Sequence, residues 1–132
     1  MISKRSIFTL IAVFLVFVAG NGIAQTAEDG SAVLLPLEAQ SCNYPGAPAK
    51  LPEEPDFETL KAGVARFKEF QVELEEFRGC LEEAGNADNL TEGNRIALNN
   101  AHNDSVDMET RLGDQLNTAV RAYNARQKAD KE

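Results

Sequence analysis

Residues 56–84 read DFETLKAGVARFKEFQVELEEFRGCLEEA, and their apolar spacing decides the fold. Phe57, Leu60, Val64, Phe67, Phe70, Leu74, Phe77 and Leu81 recur at steps of three or four, which places them on one face of an α-helix. Glu58, Lys61, Glu69, Glu73, Glu75, Glu76 and Arg78 fall mostly off that face. Asp56 suits the N-cap, because its carboxylate can accept from a free N–H of the first turn. Gly85-Asn86 suits the stop. The spacing predicts a helix over about residues 56–84.

Working outward, Gly85 to Leu90 is a short polar connector. Thr91 and Asn94 have the spacing of a weak capping box. Leu98, His102, Val106, Leu112, Leu116, Val120 and Tyr123, with Met108 and Ala119 beside them, then mark a second helix over about residues 92–128. Its first half holds Asn99, Asn100, Asn103, Asp104 and Ser105, side chains that compete for backbone hydrogen bonds. That half is expected to be helical chiefly because the first helix offers it a surface. A short connector makes the helices antiparallel neighbours, so the expected fold is all-α: a long, coiled-coil-like two-helix hairpin. A turn centred near residue 88 sets position i opposite roughly 176 − i, with Phe70 by Val106, Leu74 by His102 and Phe57 by the Val120–Tyr123 region. The cationic end of the second helix (Arg121, Arg126, Lys128, Lys131) would then lie by Glu53, Glu54, Asp56 and Glu58. Exposed pairs of that kind contribute under about 1 kcal/mol each.

On the other side, Cys42 to Pro55 holds Pro45, Pro48, Pro52 and Pro55. Proline fixes φ and disfavours helix in the residue before it, so this arm should be extended and polyproline-II-like. Cys80 stands 24 residues past Asp56, about 36 Å along a helix. Cys42 stands 14 residues before Asp56, about 43 Å in polyproline-II form. The arm is therefore just long enough to run back along the first helix and join Cys42 to Cys80, adding a third layer. Closing that loop would stabilise by about 4 kcal/mol in the chain-entropy model, less any strain. An intermolecular bridge, with the arm exchanged between copies, is the alternative. The wide spacing disfavours a redox or metal pair.

At the far N-terminus, Lys4 and Arg5 precede the apolar run Ile7 to Ala19, and Gly22-Ile23-Ala24 presents small residues at −3 and −1 before Gln25. This is the anatomy of a signal peptide, cleaved near Ala24/Gln25. The rival reading is a retained anchor. Thirteen apolar residues reach about 20 Å as a helix, short of the roughly 30 Å hydrocarbon core. Export to an oxidising compartment, periplasmic or secreted, makes a disulfide the natural state of two cysteines. Gln25 to Ser41 has no sustained period and is expected to be a flexible segment, with a docked strand or turn as the alternative.

The 132 residues carry a net charge of −8, and loss of the leader with its two cations would make it −10. One domain fits this length. Such acidity disfavours nucleic acid and anionic lipid surfaces as partners.

No residue pattern points to catalysis, a cofactor or a metal. His102, the only histidine, has its nearest carboxylates at i+2 and i+5, off its own helical face, so it reads as a buried or half-buried interhelical residue. Glu75-Glu76 and Glu82-Glu83 read as a solvated acidic face, because adjacent exposed carboxylates lack environments that push their pKa values apart. The glycines form no phosphate-cradling motif. The aromatic stripe is the one functional hint. Helix two returns few large side chains against it, so Phe57, Phe67, Phe70, Phe77 and Tyr123 are read as a candidate interaction face.

The stretch SCNYPGAPAKLPEEPDFETLKAGVARFKEFQVELEEFRGCLEE resembles a family of small exported proteins of Gram-negative bacteria of the alphaproteobacterial type. In them a Cys followed by spaced prolines leads into a long helix ending aromatic-x-x-Cys-Leu. The corresponding positions here are Cys42, Pro45, Pro48, Phe77, Cys80 and Leu81. His102, Asn103, Val106, Met108, Leu112, Val120 and Tyr123 resemble its second helix. The acidic first helix and Gly113 depart from the pattern. The resemblance covers about residues 41–126. It implies location and shape and brings no activity.

The sequence thus leads us to expect a non-enzymatic envelope protein acting through association with a protein partner or with itself. A holdase-like or hydrophobic-ligand-binding module on the Phe-rich face is the alternative.

Overall fold

The computed structural model describes residues 24–132; the expected leader and its apolar run lie outside the described residues up to position 23. Two helices dominate: α1, Phe57–Ala84, and α2, Glu92–Ala129, with a short 3-10 turn, Leu37–Ala39, ahead of them. They pack against each other as an antiparallel hairpin, and the described residues hold no β-strand, only an isolated bridge between Thr26 and Ala32.

The helix ends have local causes. The Asp56 carboxylate accepts from the Thr59 N–H at 2.7 Å and caps α1. At the other end Gly85 stays right-handed at φ −68°, so α1 stops without a left-handed cap. The capping box at α2 forms: Asn94 N–H donates to Thr91 Oγ1 at 3.1 Å, and Thr91 N–H donates to Asn94 Oδ1 at 3.1 Å.

Arm and helix are joined as their lengths allow. Cys42 is bonded to Cys80, with the Cα atoms 5.7 Å apart. From there the arm descends α1 in register. Tyr44 stands edge-on to Phe77 at 4.9 Å between ring centroids. Arg66 Nη2 donates to the Gly46 carbonyl at 3.3 Å, and Leu51 lies so close over Gly63 that a Cβ there would stand 2.8 Å from its Cδ2. Pro45 and Pro55 are buried.

The core is thickest near the turn. Phe77, Leu81, Ala84 and Leu98 cluster with Ala39 of the 3-10 turn, and Leu35, Cys42, Leu90 and Ala101 pack around them. Phe70 and Leu74 next to it are fully buried. Here α1 supplies the bulk and α2 answers with Ala101 and Ser105. Ser105 is fully buried and satisfied within its own helix, its Oγ donating to the His102 carbonyl at 2.6 Å.

Three expectations need correction. His102 is exposed, and Val106 is 40% exposed. From Leu98 to Leu112, steps of about 3.6 residues pass near 101–102, 105 and 108–109, so the buried seam takes Ala101, Ser105 and Met108. The register also differs. Phe67 meets Gly113 and Gln71 meets Glu109, so i faces 180 − i, while Phe57 meets Tyr123, within the Val120–Tyr123 region expected for it. Side chains lean toward the N-terminus of their own helix. On α1 that carries their tips away from the turn and on α2 toward it, so each partner sits farther along α2 than the backbones alone imply. Finally, Arg126 lies by Glu54 and Asp56 as expected but bonds the backbone between them in place of a carboxylate: its Nη2 donates to the Pro55 carbonyl at 2.7 Å, closing the far end of the hairpin on the arm.

Gln25 to Ser41 takes the docked form. Glu28 to Gly30 make a turn, with Gly30 at φ +81°, a backbone region that glycine enters freely. The turn presents Asp29 and Ser31 to the start of α2. Glu92 N–H donates to Asp29 Oδ2 at 3.3 Å, Gly93 N–H donates to Ser31 Oγ at 2.8 Å, and Asn94 Nδ2 donates to the Leu34 carbonyl at 2.8 Å. With Thr91 this fills the first N–H groups that any helix leaves without partners. The Ser31 hydroxyl and amide, donating to the Asp29 carboxylate, hold its pKa below the ordinary range, and a negative charge also suits a helix N-terminus.

Candidate functional site

Between the arm and α2 runs an open groove of about 1090 Å³. Pro48 to Glu53 form one wall, Ala62, Gly63, Arg66 and Phe67 of α1 the floor, and α2 from Asp107 to Ala122 the other wall. That stretch of α2 spans about 22 Å. Its apolar lining comes from Leu51, Phe67, Leu112, Leu116, Ala119 and Ala122. Charges of both signs rim it: Lys50, Arg66 and Arg111 against Glu53, Asp107 and Asp114.

The groove exists because helix, arm and helix are held at fixed spacing. Arg66 bridges two of them, donating to both oxygens of Glu73 at 3.2 Å while also holding Gly46. Above the groove, toward the turn, a polar bolt crosses the hairpin: Gln71 Nε2 donates to Glu109 Oε1 at 2.8 Å and Arg78 Nη1 to Oε2 at 2.9 Å. The Gln71 bond first, and the Arg78 bond and charge with it, hold the Glu109 carboxyl below its ordinary pKa against the opposing effect of burial. Burial pushes the Tyr44 phenol up, with the Asp104 charge adding to it and Arg111 opposing it, so the arm comes within electrostatic reach of α2.

The expected interaction face is divided by this arrangement. Phe70 and Phe77 lie in the core, at 0% and 6% exposure. Phe67 lines the groove. Phe57, 56% exposed, forms a tilted pair with Tyr123 at the far end, 6.3 Å between centroids. The five aromatics therefore do not make one continuous surface. The groove's other components, Leu51, Leu112, Leu116 and Ala119, were legible only as parts of an arm and a helical stripe. What joins them is the side-by-side placement of arm and α2, which no local spacing encodes.

No group of three or more His, Cys, Asp or Glu side chains among the described residues converges as metal ligands. No described helix is long and apolar enough to cross a membrane. Comparison of the chain with protein-family models, curated proteins and solved structures gives no match.

Proposed function

We propose that the protein is a non-enzymatic component of the cell envelope, exported by a cleaved leader to the periplasm or beyond, that binds an amphipathic helix of a protein partner in the groove between the arm and α2. The observation that carries this reading is the groove itself, an open trough about four helical turns long with an apolar lining and a rim of both charge signs. An apolar centre inside a polar rim is the anatomy of a protein interface, and helix-in-groove docking fits a trough that follows two helical rods. A net charge of −8, or −10 without the leader, sets two copies against each other electrostatically and favours a neutral or basic helix as occupant. The Cys42–Cys80 bond supports the oxidising compartment.

A photocrosslinking amino acid at Gln115, on the groove wall, tests this in cells that export the protein. The expected result is an adduct with one defined protein, absent when the label stands at Glu82, and lost when Leu116→Asp places a charge in the apolar wall. Adducts at the mass of two copies would make a second copy the occupant and overturn the hetero-partner reading. Equal labelling from Gln115 and Glu82 would overturn the groove itself.

A further inference from the structure

We propose that the Cys42–Cys80 disulfide is a redox latch on the groove: a dithiol reductant frees the arm, removes the groove's Pro48–Glu53 wall and releases what is bound there. The inference rests on the groove reading for its consequence, but the latch itself stands on separate contacts.

The arm is held firmly at its two ends and lightly between them. Ahead of it, Ala39 is buried in the turn-end core. Behind it, Pro55 is buried and its carbonyl accepts from Arg126. Among the described residues, no backbone–backbone hydrogen bond involves residues 43–54. Between those ends the arm is held by the burial of Pro45, the Tyr44–Phe77 edge contact, the Arg66 bond to the Gly46 carbonyl and Leu51 over Gly63. The disulfide is the one covalent tie between arm and α1 short of the chain itself. The hairpin keeps its own contacts below that point, among them Phe67 against Gly113 and Glu109 with Gln71 and Arg78. Reduction therefore loosens one layer selectively.

The bond is also within reach. Both cysteines are only half-buried, and a surface depression of about 140 Å³, lined by Asn43, Glu73, Glu76 and Phe77, opens onto Cys80. A thiolate of the dithiol attacks Cys80 Sγ there and forms a mixed disulfide, while Cys42 leaves as a thiolate and takes a proton. The reductant's second thiol then displaces Cys80, which is protonated in turn. The protein gains two electrons and two protons, and the dithiol departs as its own disulfide. The carboxylates of Glu73 and Glu76 beside the depression disfavour anionic thiols and favour a neutral or basic dithiol.

Methyl- and ring-labelled protein observed by NMR, before and after dithiothreitol, tests the latch. Reduction is expected to abolish the Leu51 methyl–Gly63 and Tyr44–Phe77 contacts while the Phe67–Gly113 contact persists, with reoxidation restoring all three. The Cys42→Ser/Cys80→Ser double variant should match the reduced state. A Leu/Lys amphipathic helical peptide, used as the probe, should shift the Leu112 and Leu116 methyls of the oxidised protein and bind the reduced form more weakly by about tenfold, within the usual range of coupling between two sites. Arm contacts that survive reduction would overturn the latch. So would loss of Phe67–Gly113 together with them, since the bond would then be a staple for the whole hairpin. Loss of the arm contacts with no peptide-induced shift in the oxidised protein would leave the latch standing and count against the groove reading alone.

Discussion

The two ends of the hairpin carry the same kind of side chain and treat it differently. Near the turn, Phe77 is buried beneath Tyr44, Cys42 and the Leu37–Ala39 turn. At the far end, Phe57 belongs to the same helical stripe, yet it is more than half exposed and has Tyr123 as its aromatic neighbour. Both residues satisfy the three-and-four spacing of an amphipathic helix. The difference lies in what the rest of the chain lays over them. Two helices bury one seam between them, and a third layer is needed to bury more. The N-terminal segment and the first half of the arm provide it at the turn. Farther along, the arm stands off from α2 and leaves the groove.

The largest way to disturb this contrast is to remove the tie that holds the cover. Cys42→Ser/Cys80→Ser should lower the unfolding free energy by about 4 kcal/mol in the chain-entropy model, read from urea unfolding of the oxidised protein and the variant. Next comes Gly93→Ala. A Cβ at Gly93 would collide with the Ala32 carbonyl and crowd the Ser31 hydroxyl, and backbone cannot swing aside as a side-chain tip can. Overpacking of this kind costs about 1–3 kcal/mol. The variant should also lose the Glu92–Asp29 and residue-93–Ser31 hydrogen bonds, seen as faster exchange of those first amides of α2, while the disulfide end stays in place.

A smaller effect is expected at the polar bolt. Arg78→Ala removes one of two bonds to Glu109 and leaves a partly buried carboxylate, at a cost of about 1–2 kcal/mol. The bolt is also acid-sensitive, and the sign follows from the direction of the shift. Glu109 is held below its ordinary pKa in the folded chain. Its contribution is therefore full above the unfolded value, near pH 4, and is lost as pH falls through the folded value. Asp29 and Asp56, also lowered by hydrogen bonds from Ser31 and Thr59 respectively, act in the same direction. Arg78→Ala should unfold with a shallower loss of stability between pH 5 and pH 3 than the parent. Equal slopes would show that Arg78 adds nothing to the lowering of Glu109 in that window and that the Gln71 bond carries it.

Much of this architecture was legible in the chain. The stripe from Phe57 to Leu81, the proline-free run after Pro55 and the Asp56 and Thr91 caps locate both helices, because each is a local signal with a local cause. The Cys42–Cys80 closure was legible from two lengths, a helical rise and a polyproline rise. The misplacements share a physical origin. His102 and Val106 were put in the seam because four-residue steps from Leu98 reach them, whereas helix phase and the bulk of Phe70 and Leu74 favour a small side chain with an internally satisfied hydroxyl at Ser105. The docking of Asp29 and Ser31 onto α2 depends on contacts some sixty residues apart, and a segment without period gives no sign of such a partner. The groove escaped for the same reason: its walls come from elements whose separation is set in three dimensions.

The most direct test of the central claim, that cover and not hydrophobic pattern decides what is buried, is a side-by-side urea unfolding of Phe70→Ala and Phe57→Ala. Phe70 is fully buried, and its truncation should cost about 3–5 kcal/mol. Phe57 is on the same stripe but uncovered, and its truncation should cost under about 1 kcal/mol. Equal losses from the two variants would contradict the account, since they would mean that the far end of the hairpin is covered as closely as the turn.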